Sequence, residues 1–167
     1  DLLWQKKLSG LPVLLGNSKF AYIKNFKTPF EYEYFYQDTI RLYTFDSDNS
    51  NQNSYLIAQT NDGFIGGFIN EGHNGEILLA GKFWGSISFF GVNNIITISN
   101  YDSAMVSPGV YGPIEKAYIA KIDTSGNTIW VKDNIEINPY PYIFKTNSFG
   151  DIFTATTNLI AKYDSNF

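Results

Sequence analysis

The apolar residues of this chain fall in short runs. Some alternate with polar residues, some are continuous, and each is bounded by Gly, Asn, Asp, Ser or Pro. That pattern predicts β-strands, because alternate side chains of a strand point to opposite faces. Strands are expected near 2–8, 12–15, 20–26, 31–36, 39–45, 54–60, 64–69, 76–82, 86–90, 94–99, 117–123, 127–133, 142–146, 151–156 and 158–164. No long stretch keeps a 3.6-residue period. Asn61-Asp62-Gly63, His73-Asn74-Gly75, Thr124-Ser125-Gly126-Asn127 and Ser148-Phe149-Gly150 are candidate turns. Asn-Gly and Asp-Gly supply the positive φ that tight hairpins need.

Three segments share one order of parts. A short strand follows a turn in NSKFAYIKNF (17–26), NGEILLAGKF (74–83) and FGDIFTATT (149–157). A hairpin opening on a LIAK-like strand comes later: SYLIAQTNDGFIGGF (54–68), AYIAKIDTSGNTIW (117–130) and NLIAKYDSNF (158–167). One or two further strands separate the parts in the first two copies. Set end to start, IAKYDSNF and DLLW (1–4) align without a gap on IAKIDTSGNTIW. The repeats therefore run over about 11–68, 74–130 and 142–167, the last completed by 1–4. The expected unit is a blade of about four antiparallel strands. Three such blades are fewer than the four to eight that usually close a ring. The expectation is a single all-β domain over 1–167 that forms an arc of a larger propeller, with a β-sandwich as the alternative.

The hairpin motif has a structural explanation. Asp123 and Asp164 sit where a strand enters a turn, where a carboxylate accepts following backbone N–H groups. Gly126 and Asn127 suit left-handed backbone. Trp130 and Trp4 are plates suited to the space between sheets, and Ala58, Ala120 and Ala161 are small where a neighbouring sheet would approach.

Composition fits this reading. Aromatics make up 17% of the 167 residues, and Gly, Asn, Ser and Thr are frequent. The net charge is −4, with a single Arg, Arg41. Neutralising a nucleic acid needs clustered Lys and Arg, so no nucleic-acid partner is expected. There is no cysteine, which excludes disulfides and thiolate chemistry. No run reaches membrane-span length. No secretory leader is legible, and the chain starts inside a motif.

Candidate chemistry is sparse, and no catalytic residue is assigned. His73, the sole histidine, lies in the turn EGHNG. No GxSxG, HExxH or Walker-type loop occurs. Asp46, Asp48 and Ser50 place side-chain oxygens at alternate positions, as a calcium loop does, but lack its Gly and closing Glu. No cofactor is expected, with calcium there as the alternative. Glu31 and Glu33 share a strand face and form a possible acid pair.

Two segments are candidate contact surfaces. In FEYEYFY (30–36), alternation gathers Tyr32, Tyr34 and Tyr36 on one face with Phe30. An aromatic platform suits a sugar or a protein partner. The stretch 99–116 is long enough to read as a functional loop, and it carries Tyr101, Met105 and Tyr111.

A strand ending in Ala-Lys-x-Asp, a Ser/Gly/Asn turn, then a strand with Trp resembles the bacterial beta-propeller repeat called SBBP. Gly75–Gly81 and Ser88–Gly91 resemble that family's earlier elements. The likeness is good over 74–131 and 149–167. Over 11–72 it is weak: Gln59 stands for Lys, Asn61 for Asp and Phe68 for Trp. The resemblance implies four-stranded blades in a secreted or cell-surface bacterial protein, and no reaction. The expected function is a non-catalytic binding or scaffold module whose partner is a protein or the remaining blades. The alternative is a carbohydrate-binding or carbohydrate-active propeller protein, with carboxylates from Glu31, Glu33, Asp46 and Asp48.

Overall fold

The computed structural model describes residues 13–15, 19–28, 37–48, 50–135, 143–155 and 160–164. It is all-β, with fourteen strands and one 3-10 turn among the described residues. The strands form three antiparallel meanders, layered in chain order.

The first meander runs β1 (Val13–Leu15), β2 (Lys19–Thr28), β3 (Gln37–Asp46) and β4 (Asn53–Thr60), each paired with the next. The second is β5 (Phe64–Glu71), β6 (Ile77–Phe90), β10 (Lys116–Ile122) and β11 (Thr128–Ile135). Between β6 and β10 come β7 (Ile95–Asn100) and a separate two-stranded ribbon, β8 (Ser103–Ser107) with β9 (Val110–Pro113). The third meander is β12 (Ile143–Thr146), β13 (Ile152–Ala155) and β14 (Ile160–Tyr163).

The first two meanders are fused through β6. Its first half pairs with β5 and β10. From Gly85 it pairs with β7, and at Ile87–Phe89 with β4. Gly85 has φ 92, a backbone that L side chains rarely adopt. The strand turns there without ending, and a strand that changes sheets at a bend makes a corner between packed layers. The result is a nine-stranded antiparallel sheet curled into a half-barrel.

The inside of the curl is the main core. Leu15, Ile40, Leu42 and Ile57 from the first meander meet Ile65, Leu79, Phe83, Ile87 and Tyr118. The outer face of the second meander is covered too. Leu78, Ala80, Ala117 and Ile119 form a second cluster with Ile152 of the third meander, and Trp130 packs against it. Both faces of β6 are therefore buried over Ile77–Gly81, which is why that stretch is a continuous apolar run.

Two local expectations change. The expected strands 76–82 and 86–90 are one strand, because Gly85 bends the chain instead of breaking it. Segment 54–68 is not a hairpin: β4 and β5 both pair with β6 and not with each other. Asp62 is the reason. Its carboxylate accepts the Ser86 N–H at 2.9 Å and the Tyr101 hydroxyl, which holds the bend outward into the next meander. The strand-after-a-turn copies fare differently. β2, β6 and β13 are each the second strand of their meander, so 64–71 opens the second unit and does not close the first.

Candidate functional site

Six of the twelve large hydrophobic side chains exposed among the described residues lie on or beside the β8–β9 ribbon. Every residue from Tyr101 to Glu115 is exposed except half-buried Gly112. The tip is Ser107-Pro108-Gly109-Val110. Proline presets φ at the first central position and Gly109 takes φ 79 at the second, as a type II turn requires. Met105 stands directly opposite Tyr111 on one face. The register shift beyond Met105 throws Val106 over Gly112, where an added Cβ would meet Val106 Cγ1 at 3.0 Å. Exposure is 59% at Met105, 67% at Val106, 52% at Val110 and 65% at Tyr111.

The ribbon is firmly seated. Buried Asn100 donates from Nδ2 to the Ile114 carbonyl at 2.6 Å, and its Oδ1 accepts the Asp102 N–H at 3.2 Å. The Ile114 N–H donates to the Asp102 carbonyl at 2.8 Å. That same carbonyl takes the Trp84 indole N–H at 3.1 Å. Trp84 meets Tyr101 edge-on, with centroids 5.9 Å apart. The flanking carboxylates are ion-paired: Asp102 with Lys116 at 2.9 Å, and Glu115 with Lys82 at 3.2 Å.

The Tyr101 hydroxyl donates to Asp62, and this raises its pKa above the usual tyrosine value, with desolvation adding to the effect. A raised folded-state value favours the protonated form in the native state. The contribution to stability is thus present below the unfolded pKa and is lost as pH rises through the folded one. Titration of phenolate absorbance should show one tyrosine ionising late by reason of Asp62. Asp62→Asn should bring it back toward the ordinary range, and an unchanged profile would rule the bond out.

Of the residues singled out from sequence, Tyr101, Met105 and Tyr111 come together on this ribbon. Tyr32, Tyr34 and Tyr36 lie outside the described residues, as do Glu31, Glu33 and Trp4. Asp46, Asp48 and Ser50 form the turn between β3 and β4. There Asp48 Oδ1 accepts the Ser50 N–H at 2.9 Å and its hydroxyl at 2.5 Å, which holds the Asp48 carboxyl below the usual range, the hydroxyl bond first. Asp46 Oδ2 accepts from Asn51 Nδ2 at 2.7 Å. The turn's own donors thus engage one carboxylate oxygen of each aspartate. No group of three or more His, Cys, Asp and Glu suited to a metal occurs among the described residues.

Asp123 Oδ1 accepts the Ser125 and Asn127 N–H groups, both at 2.8 Å, and Gly126 has φ 80. Asn127 is not left-handed; its side chain bonds back to Asp123 at 3.0 Å. The turn at Asn147 repeats this arrangement with the residue types exchanged: Asn147 Oδ1 accepts the Phe149 and Asp151 N–H groups, both at 3.0 Å, and Gly150 has φ 84. Asp164 is exposed at the end of β14.

Trp130 and Lys121 face a cleft between the second and third meanders, with His73, Glu76, Gly150 and Ile152. Lys121 and Glu76 are ion-paired at 2.8 Å. His73 lies in a tight turn where Asn74 and Gly75 both have positive φ. The cleft holds roughly 220 Å³ including its open mouth.

No protein-family model matches this chain, and neither does any curated protein or solved structure at a significant level.

Sequence reasoning missed Asp62, Trp84 and Asn100. Asp62 and Tyr101 are 39 positions apart, and no local pattern joins them.

Proposed function

We propose that this chain is a non-catalytic interaction module that binds a protein partner through the β8–β9 ribbon. The observation that carries the reading is an exposed apolar ribbon on a hydrogen-bonded, ion-paired base. Preorganised apolar and aromatic side chains are what interface hot spots use, because little ordering entropy remains to be lost on binding. The wider proposal is a propeller-type, secreted or cell-surface scaffold. Three successive antiparallel meanders stacked face to face, with the SBBP-like hairpin in the second, support it. The carbohydrate alternative rests on 30–36, outside the described residues, and on Asp46 and Asp48 in the β3–β4 turn.

Affinity capture with the wild type and with Met105→Asp/Tyr111→Ser tests the binding site. Loss of two central side chains should weaken partner binding about a hundredfold, while the melting curve stays put. Undiminished capture by the double variant would refute the ribbon as the site.

A further inference from the structure

We infer that the segment 2–7 of a second copy of this chain lies along β14 and completes its third meander as a fourth strand. This surface is separate from the ribbon. The third meander copies the second strand for strand, with β12, β13 and β14 in the places of β5, β6 and β10. In the second, Ala80 pairs with Ile119, Leu79 with Ala120 and Leu78 with Lys121. In the third, Ala155 pairs with Ile160, Thr154 with Ala161 and Phe153 with Lys162. The ion pair is copied too: Lys121–Glu76 and Lys162–Asp151 are both 2.8 Å. So is the preceding turn, with Gly75 at φ 78 and Gly150 at φ 84.

The copied plan has four strands. β3 lies between β2 and β4, and β10 lies between β6 and β11. β13 lies along the flank of β14 that matches β6. A strand on the other flank should match β11, where Trp130 stands opposite Lys121 and Val131 opposite Ala120. Residues 2–7, outside the described residues, carry that match: DLLW aligns on GNTIW with Trp4 at Trp130 and Gln5 at Val131. The shared register sets Trp4 against Lys162 and Gln5 against Ala161. A strand added to a sheet edge gains main-chain hydrogen bonds along its whole length.

Reach decides which copy supplies it. The first meander packs on the inner face of the second, and the third packs on the outer face. Within one chain the first and third are therefore two layers apart, about 20 Å at ~10 Å per layer. β1 and β12 both lie against β5. The far flank of β14 is three strand spacings further across, about 14 Å, so the straight line from β1 is roughly 24 Å. From Lys7 to Val13 the chain takes six Cα steps, which span at most about 22 Å. A second copy meets no such gap. β4 leads into β5 across 61–63, and β11 into β12 across 136–142, each from the last strand of one meander to the first of the next layer. Residues 8–12 make the same step when the second copy's first meander stacks on this chain's third. That layer also covers an open face: Ile119 is fully buried against the third meander, whereas its counterpart Ile160 is 77% exposed.

Disulfide trapping tests the contact, and no native cysteine competes. Gln5→Cys and Ala161→Cys chains, mixed and oxidised, should link into a reducible species of twice the chain mass, and each alone should link about tenfold less. Lys6→Cys with Ile160→Cys is the second pair. Neighbouring antiparallel pairs alternate in Cα spacing, so the two sets together include the closer kind. Sedimentation equilibrium of the wild type should show twice the chain mass or a higher multiple. Gln5→Pro removes a strand donor and should raise the Kd about a hundredfold. A chain carrying both Gln5→Cys and Ala161→Cys that closes on itself at one chain mass overturns supply by a second copy. Failure of both mixtures to link, a wild type that stays monomeric, or an assembly untouched by Gln5→Pro overturns the strand contact. None of these results bears on capture of a partner by the ribbon.

Discussion

Gly81→Ala should abolish most of the folded protein, or lower its melting temperature by more than about 10 °C, on the scale of 2–4 °C per kcal/mol for a chain of this size. Gly81 lies in β6, paired with Gly67 of β5 and Tyr118 of β10. A Cβ there would sit 1.7 Å from the Gly66 carbonyl oxygen and 2.8 Å from the Gly67 Cα. These are backbone atoms of a hydrogen-bonded neighbour, so no rotamer change relieves the clash. β5 cannot retreat, since Ile65 and Ile69 are fixed in the main core. Ordinary overpacking costs about 1–3 kcal/mol, and a backbone clash in the central strand should exceed that. Gly75→Ala is the control. Nothing lies within 4 Å of its added Cβ, and only its φ of 78 is strained. Left-handed backbone costs an alanine about 1–2 kcal/mol, so its melting temperature should fall by only a few degrees. If Gly81→Ala melts no lower than Gly75→Ala, the close approach of β5 to β6 is wrong.

Strand positions were legible in the sequence wherever one strand face met the core. Expected 39–45, 54–60, 117–123 and 151–156 match β3, β4, β10 and β13 to within two residues at each end. Pairing was less legible, because turn chemistry is local and partner choice is not. Asn61-Asp62-Gly63 has hairpin composition, yet Asp62 is engaged by Ser86 and Tyr101, and these distant bonds redirect the chain. Gly85 looked like a strand boundary, but glycine bends a strand as readily as it ends one. The ribbon has the sequence signature of a loop, because SAMVSPGVYGP lacks the alternation that a half-buried strand shows. Both its faces are exposed, so no burial imprinted a period. Its apolar content was visible all the same, and Tyr101, Met105 and Tyr111 were picked out by residue type. The Asn100 and Trp84 contacts that seat it came from positions with no local signal.

Tyr118→Ala should be the most damaging truncation in the core, at about 3–5 kcal/mol by analogy with buried aromatic deletions. Tyr118 is 1% exposed and sits in β10, inside the curl. Its ring meets Phe83 edge-on at 6.1 Å and Phe89 at 5.4 Å. Those two phenylalanines flank the Gly85 bend, one on each half of β6. The ring therefore holds the two halves at their angle, and removing it leaves a cavity at the corner where the sheet changes layers. The hydroxyl has a separate role: it donates to the Gly66 carbonyl at 3.1 Å, beside the close approach of β5. Tyr118→Phe keeps the ring and deprives one partly buried carbonyl of a donor, which costs about 1 kcal/mol. Denaturant melts of the two variants separate these roles. A Phe variant as unstable as the Ala variant would place the stabilisation in the hydrogen bond. Near-equal stability of Ala and wild type would show that the corner does not depend on this ring. The expected order, with Phe close to wild type and Ala far below, would show that packing across the bend sets the curl.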